Sequence, residues 1–264
     1  MTKKVALVVV VVSILAILAA CLWWYVILPA REKQAFVDRY GQKAYDLFCA
    51  AKESPFVTLG TYEQDGNLGN GKEPIEWIVL KKEGMSLLLI SRYALDFQSY
   101  HYAYTITTWE QCSLRQWLNQ DFVKAAFSAA EREMLSTVTV KARKNDVYET
   151  DAGKDTQDTV FLLDAFEANE WLADGACKAT AYAAQERYSV GEDGTCWWWL
   201  RSPGMYQNIA AGVSRDGTVG SSGRIVSEVC AVRPALWVDL AYLEKHQTFQ
   251  KGEIENGKTD LVSR

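Results

Sequence analysis

Five cysteines, Cys49, Cys112, Cys177, Cys196 and Cys230, follow an apolar N-terminal run that holds a sixth, Cys21. In an oxidising compartment such thiols pair, and an odd number leaves one free or intermolecular. Cys177 with Cys196 is the preferred pair because it closes a short loop, a bridge worth about 3 kcal/mol by the chain-entropy argument. Five buried thiols are the alternative. No CxxC and no Cys/His spacing points to zinc. The two histidines are His101 and His246. A Ser-His-Asp hydrolase would have to use His101, and no Gly-x-Ser-x-Gly surrounds a serine. Glu192, Asp193 and Asp216 are too scattered for a calcium site. No cofactor is expected. Arg201 and Arg233 are either anion contacts or framework residues bonded to carbonyls and carboxylates. Their strand-like settings favour the framework, where a buried guanidinium must be paired.

Those two arginines belong to apolar blocks, Trp197-Trp198-Trp199-Leu200-Arg201-Ser202-Pro203-Gly204 and Ala231-Val232-Arg233-Pro234-Ala235-Leu236-Trp237. Between the blocks lies a stretch rich in Gly, Ser and polar side chains. A rigid frame that carries loop residues is the usual setting of a binding surface. Recognition is therefore the better-supported chemistry of this chain.

Location is set by the N-terminus. Lys3 and Lys4 precede an unbroken apolar run, Val5 to Leu28. As a helix it would span about 36 Å, against a hydrocarbon core of about 30 Å. Trp23, Trp24 and Tyr25 stand at its far end, where interfacial aromatics belong, and Pro29 should break the helix. The lysines favour an inside amino end and an extracytoplasmic remainder. Leu18-Ala19-Ala20-Cys21 offers the alternative of a lipoprotein anchored at Cys21, although Leu22 to Leu28 stays apolar where a polar tether is usual. The net charge of -5 and pI near 5.3 argue against a nucleic-acid partner.

The expected organisation is a transmembrane anchor over 1–30, a stalk helix over 31–54, one domain over 55–243 and a polar tail over 244–264. Phe36, Tyr40, Ala44, Leu47 and Phe48 share one face of the stalk, and Ser54-Pro55 ends it. Phe56 to Tyr62 reads as a strand. Ile75 to Leu80 and Met85 to Ile90 read as a hairpin about Glu83-Gly84. Ser113–Gln116 and Ser128–Glu131 fit capping boxes. Thr137 to Lys141 and Thr159 to Leu163 are short strands, separated by a polar loop from Asn145 to Asp158. Asp164 caps a helix, with Glu167 three residues on and Phe166 and Trp171 facing inward. Trp197 to Leu200 is a buried strand, and Ser202-Pro203-Gly204 turns the chain. Asp216-Gly217 makes a tight turn, and Ser222-Gly223 makes another. Cys230 to Leu240 is one closing strand, with Pro234 at an edge or bulge. Strands first, helices next and strands last predict an α+β domain whose terminal strands meet.

Three ordered motifs carry a resemblance: Gly71 to Leu80, Ser113 to Asn119, and Trp198 to Gly204 with Val232 to Leu236. Over roughly residues 55 to 240 the chain resembles a widespread bacterial domain of unknown function. That domain is similar to the C-type-lectin-like fold, in the branch that includes formylglycine-generating enzymes and ligand binders diversified by retroelements. The resemblance implies a C-type-lectin-like display scaffold behind an N-terminal transmembrane helix, with a protein or glycan ligand. The implied ligand-binding positions are Met205, Tyr206, Ile209, Gly212, Ser214, Arg215, Gly220, Ser221, Arg224, Ile225, Ser227, Glu228 and Val229. They alternate with structural-looking Gln207, Asn208, Ala210, Ala211, Val213, Asp216, Gly217, Val219 and Gly223. Many relatives are Asn-rich here and this chain is not, which fits diversification of Asn codons and equally fits drift. The same branch also implies two alternatives: an oxidase using Cys196 and Cys230, or a cell-envelope structural module without a soluble ligand.

Overall fold

The architecture comes from a computed structural model that describes residues 21–185 and 190–241. The side chains of Trp24 and Tyr40, residues 1–20, the tail beyond 241 and His246 lie outside the described residues. Most of the expected membrane span therefore falls there. Among the described residues, no helix is long and apolar enough to cross a membrane.

A π-helical turn, Trp23–Ile27, leads into α1, Leu28–Tyr40. Pro29 does not break the helix as expected. It sits in the first turn of α1, where a missing N–H is tolerated. Gly41, at φ +84°, ends α1, and α2 follows over Gln42–Glu53. The expected single stalk helix is thus two helices. The Phe36 ring meets Tyr45 at 5.5 Å and Phe48 at 5.2 Å. Ala50–Leu240, which takes in the last turn of α2, forms one compact unit, and α1 with the rest of α2 belongs to another.

Within Ala50–Leu240 the arrangement is mixed α+β with three sheets. It begins with β1, Phe56–Tyr62, β2, Glu73–Glu83, and β3, Ser86–Ser91. Ile75 and Trp77 alternate inward along β2, and Trp77 Nε1 donates to the Leu59 carbonyl at 2.8 Å. Gly84, at φ +59°, closes the expected hairpin between β2 and β3. β4, Asp96–Ser99, leaves this sheet for another.

The helical middle contains α3, Ser113–Trp117, a π-helical turn over Leu118–Phe122, α4, Val123–Ala126, and α5, Ala129–Met134. Ser113 is not the cap of α3. Its hydroxyl accepts from the Tyr102 N–H, and the Cys112 sulfur caps the helix by accepting from the Arg115 N–H. The Ser128–Glu131 box forms as expected. Replacing Ser128 with Ala should cost about 1 kcal/mol of unfolding free energy, read by urea denaturation.

Short strands follow: β5, Leu135–Ser136, β6, Val138–Val140, β7, Thr156–Asp158, and β8, Val160–Phe161. β6 and β7 form the two-stranded sheet, so the predicted polar loop is shorter than expected. Its end is interior. The buried Asp158 carboxylate accepts from Trp109 Nε1, Arg115 Nε and the Thr156 hydroxyl. α6, Ala165–Trp171, starts at Asp164 with the expected Glu167 box. Phe166 is half exposed rather than inward, because Arg143 covers its ring at 4.4 Å. Lys81 covers Trp171 at 3.7 Å.

The last third supplies β9, Trp198–Pro203, β10, Ile209–Val213, β11, Val219–Ile225, β12, Val229–Val232, and β13, Ala235–Asp239. The expected single closing strand is two strands in different sheets. β12 joins a five-stranded sheet in the order β11-β10-β9-β12-β4. β13 pairs with β3 in the central sheet, where β1-β2-β3-β13-β5 run in order and β8 also pairs β13. Arg233-Pro234 is the crossover, and the Pro234 carbonyl accepts the Ser91 N–H at 2.9 Å. Pro lacks a ladder donor, so it fits a corner between two sheets.

Candidate functional site

β9 is buried along its whole length. Trp198 Nε1 donates to the Gly175 carbonyl at 3.0 Å, and Trp199 Nε1 donates to Gln98 at 2.9 Å. Arg201 and Arg233 are framework residues. Arg201 donates to the Leu162 carbonyl at 2.8 Å, to Asp164 at 2.8 Å and to both oxygens of Glu167. Burial raises the Asp164 carboxyl above the ordinary range, against the pull of Arg201.

On this frame stands the β10–β11 hairpin. Its turn uses Asp216-Gly217 as expected. Gly217 has φ +85°, and Asp216 accepts from the Thr218 N–H at 3.1 Å and hydroxyl at 2.7 Å. Ser202-Pro203 stays in β9, and the reversal comes later, where the Gly204 N–H bonds to the Ile209 carbonyl. Ser222-Gly223 is also not a separate turn. Both lie inside β11, where Gly223 takes φ +74° at an irregularity in the register against β10.

The predicted positions divide by exposure. Tyr206 is 62% exposed, and Arg215, Arg224, Ile225, Glu228 and Val229 also face solvent. Met205, Ile209, Ser214, Gly220, Ser221 and Ser227 are half-buried. Gly212 is buried and is not a surface position. A Cβ there would lie 2.0 Å from the Trp197 ring, so the absence of a side chain is what seats that ring. Trp197 meets Trp199 edge-on at 4.9 Å, and Trp199 meets Tyr100 at 5.5 Å. The Arg224 guanidinium lies 5.1 Å above Trp197 and 3.5 Å from Glu228. An exposed cation thus rests on a column of buried aromatics, with a favourable cation–π geometry.

A neighbouring loop extends this surface, and the sequence reading missed it. The His101 N–H bonds to the Val226 carbonyl at 2.8 Å, and the Thr107 N–H bonds to the Gln207 carbonyl at 3.0 Å. The intervening Tyr102, Tyr104 and Ile106 are exposed. His101 is buried against Tyr102 at 4.4 Å and accepts from the Ser113 N–H, and burial lowers its pKa. Of the aromatic side chains from Tyr100 to Tyr104, Tyr100 and His101 are the buried ones. Three adjacent segments therefore present Tyr102, Tyr104, Ile106, Tyr206, Ile225 and Val229 together with Arg224.

The cysteines follow the alternative expectation at all but Cys49: those described are free thiols, Cys112, Cys177, Cys196 and Cys230 are buried, and Cys49 is half-buried. Cys177 and Cys196 are neighbours but unbridged, and Cys196 hydrogen-bonds to Cys177. Cys230 lies by Arg224, and burial pushes its thiol up to about 12. Cys196 is therefore engaged by Cys177 rather than by Cys230. Among the described residues, Glu63, Asp65 and Glu73 bring carboxylate oxygens within 4.8 Å of one another. Their oxygens accept the Gln64, Gly66 and Asn67 N–H groups that close the loop.

A family model described as a domain of unknown function, DUF6273, matches residues 84–240. The chain belongs to the DUF6273 family. The match runs from the β2–β3 turn to the end of β13, so both framework arginines and the whole hairpin lie within the DUF6273 domain. β1 and β2 complete the central sheet from outside it, and the Gly71 to Leu80 motif falls outside as well. No curated protein and no solved structure matches the chain.

Proposed function

We propose that this protein is a membrane-anchored, extracytoplasmic ligand-binding protein whose DUF6273 domain is a C-type-lectin-like display scaffold. Its N-terminal apolar run holds it in the membrane with the amino end inside, or else Cys21 carries a lipid. The ligand is a protein or a glycan, and no cofactor is needed to bind it. In this reading the positions from Met205 to Val229 are targets of a diversity-generating retroelement. A reverse transcriptase and a near-copy template beside the gene are the genomic test of that part.

One observation carries the reading. Exposed Tyr206, Arg215 and Arg224 lie on or beside the β10–β11 hairpin, in which β10 pairs with buried β9 and both Gly212 and Arg224 meet the Trp197 ring. Aromatic and Arg side chains dominate binding energy, most of all when their conformation is fixed before the partner arrives. The full-length chain and its Tyr206→Ala/Arg215→Ala/Arg224→Ala variant should be screened on glycan and surface-protein arrays. The variant should lose at least about tenfold in affinity for the hits, or about 1.4 kcal/mol, with an unchanged melting temperature. Normal binding by a folded triple variant would refute this face.

A further inference from the structure

We propose that Cys177 and Cys196 form a buried two-cysteine redox site for small hydroperoxides, with Cys177 as the nucleophile and Cys196 as the resolving thiol. The site is independent of the ligand-binding face.

Register places the pair. Lys178 and Thr195 form an antiparallel bridge, the Ala179 N–H bonds to the Gly194 carbonyl at 3.0 Å, and the Cys196 N–H bonds to the Cys177 carbonyl at 2.9 Å. Cys177 and Cys196 therefore sit directly opposite each other. Opposed residues at a hydrogen-bonded ladder position have Cα atoms about 5.5 Å apart, within the usual disulfide reach of about 4.4–6.8 Å.

The surroundings polarise the two sulfurs unequally. As thiols, Cys196 donates to the Cys177 carbonyl at 3.4 Å, and Cys177 donates to the carbonyls of Lys178 at 3.5 Å and Arg92 at 3.7 Å. Arg233 is 2% exposed and lies 5.1 Å from the centre of the Trp198 ring, and its Nε donates to the Ser91 carbonyl. Its Nη1 has no partner, and among the described residues no carboxylate pairs with it. A buried guanidinium needs a counter-charge, and a Cys177 thiolate supplies one. The charged and titratable groups that act on the pair are Arg233, the two thiols themselves and, on the Cys196 side, Arg215. Interaction with Cys196, helped by Arg233, holds the Cys177 thiol below its ordinary range against its burial, and the same interaction holds Cys196 above its own. Burial holds Cys112 and Cys230 up at about 12, and Arg115 beside the one and Arg224 beside the other offset it only in part.

Thiolate character selects which cysteine reacts. The Cys177 sulfur attacks one oxygen of the hydroperoxide; an S–O bond forms, the O–O bond breaks, and the leaving oxyanion takes a proton to become water or an alcohol. The Cys196 sulfur then attacks the Cys177 sulfenic acid. The S–S bond forms, the S–O bond breaks, and hydroxide leaves as water with the Cys196 proton. Two thiols have lost two electrons and two protons to one hydroperoxide. With Cys177 only 2% exposed, access suits an oxidant as small as hydrogen peroxide.

The test treats the reduced full-length chain with hydrogen peroxide and maps its peptides by mass spectrometry. A Cys177–Cys196 disulfide is expected in the natural chain. Cys196→Ser should accumulate a sulfenic acid on Cys177, read as one added oxygen in its peptide, and Cys177→Ser should leave Cys196 unoxidised. A separate measurement needs no variant: the rate of disulfide formation in the natural chain at fixed hydrogen peroxide should level off at a lower pH than an ordinary cysteine thiol allows, as the Cys177 thiolate fraction saturates. Oxidation that starts at Cys196, the absence of the disulfide, or a rate that keeps rising through the ordinary thiol range would each overturn the proposal. Should either serine variant misfold, the natural chain's peptide map and rate profile decide the matter alone.

Discussion

Arg201→Met should lower the unfolding free energy by about 3–5 kcal/mol, measured on the full-length chain by urea denaturation. The guanidinium, 5% exposed, gathers Asp164, Glu167 and the Leu162 carbonyl around one point. Removing one partner of a buried ion pair leaves charges that water cannot reach, and that residue of charge is what the loss measures. Asp164 is the group most affected. Burial already holds its carboxyl above the ordinary range, and Arg201 opposes that rise. Without Arg201 the folded-state value climbs further above the unfolded one. A carboxyl raised in this way binds more protons in the folded state, so stability grows as pH falls through the raised value. The deficit of Arg201→Met should therefore shrink between pH 7 and pH 5. A deficit that is constant with pH would mean that lost packing, not stranded charge, sets the cost. Met at 201 combined with Leu at 164 should not restore full stability, because Asp164 also accepts the Glu167 N–H at 2.7 Å to cap α6.

What the sequence could disclose was mostly local. The Glu83-Gly84 hairpin, the Ser128–Glu131 and Asp164–Glu167 boxes and the Asp216-Gly217 turn are each decided within a few residues, so their residue types announce them. Failures came where a distant partner decides. Ser113 has the residue type of a cap, but the Tyr102 N–H claims its hydroxyl. Phe166 has the spacing of an inward residue, but Arg143 makes an exposed seat for it. Cys230 to Leu240 has the composition of one strand. Its division between two sheets depends on Ser91 waiting to bond Pro234, more than a hundred residues away in the chain. The face shows the same contrast. The positions from Met205 to Val229 came from the resemblance, and of them Tyr206, Arg215, Arg224, Ile225, Glu228 and Val229 are exposed, while Gly212 is buried. Tyr102, Tyr104 and Ile106 went unmarked, since an aromatic run reads as core until the backbone bonds to Val226 and Gln207 show it spanning the surface.

Two glycines of the hairpin offer the sharpest test of this arrangement. Gly212→Ala should cost about 3 kcal/mol, whereas Gly220→Ala should stay within about 1 kcal/mol of the natural chain or stabilise it. Neither backbone is left-handed, so conformation does not separate them. Space does. At Gly212 the new carbon would fall 2.0 and 2.1 Å from two atoms of the Trp197 ring. The ring has little room to withdraw, being held edge-on by Trp199 and covered by Arg224. At Gly220 the nearest atoms are the Gly212 carbonyl at 3.5 Å and the Ser214 hydroxyl at 3.9 Å, ordinary contact distances. Sequence alone could not tell these positions apart, for glycine carries no side chain whose polarity reports its surroundings. If Trp197 does bridge the hairpin and the frame, displacing it should also loosen Arg224, so any ligand found on the arrays should bind Gly212→Ala more weakly and Gly220→Ala with little change in the framework's contribution. Equal stability costs at the two sites would remove Trp197 from beneath the hairpin, and with it the reason to regard Arg224 as fixed in place before a ligand arrives.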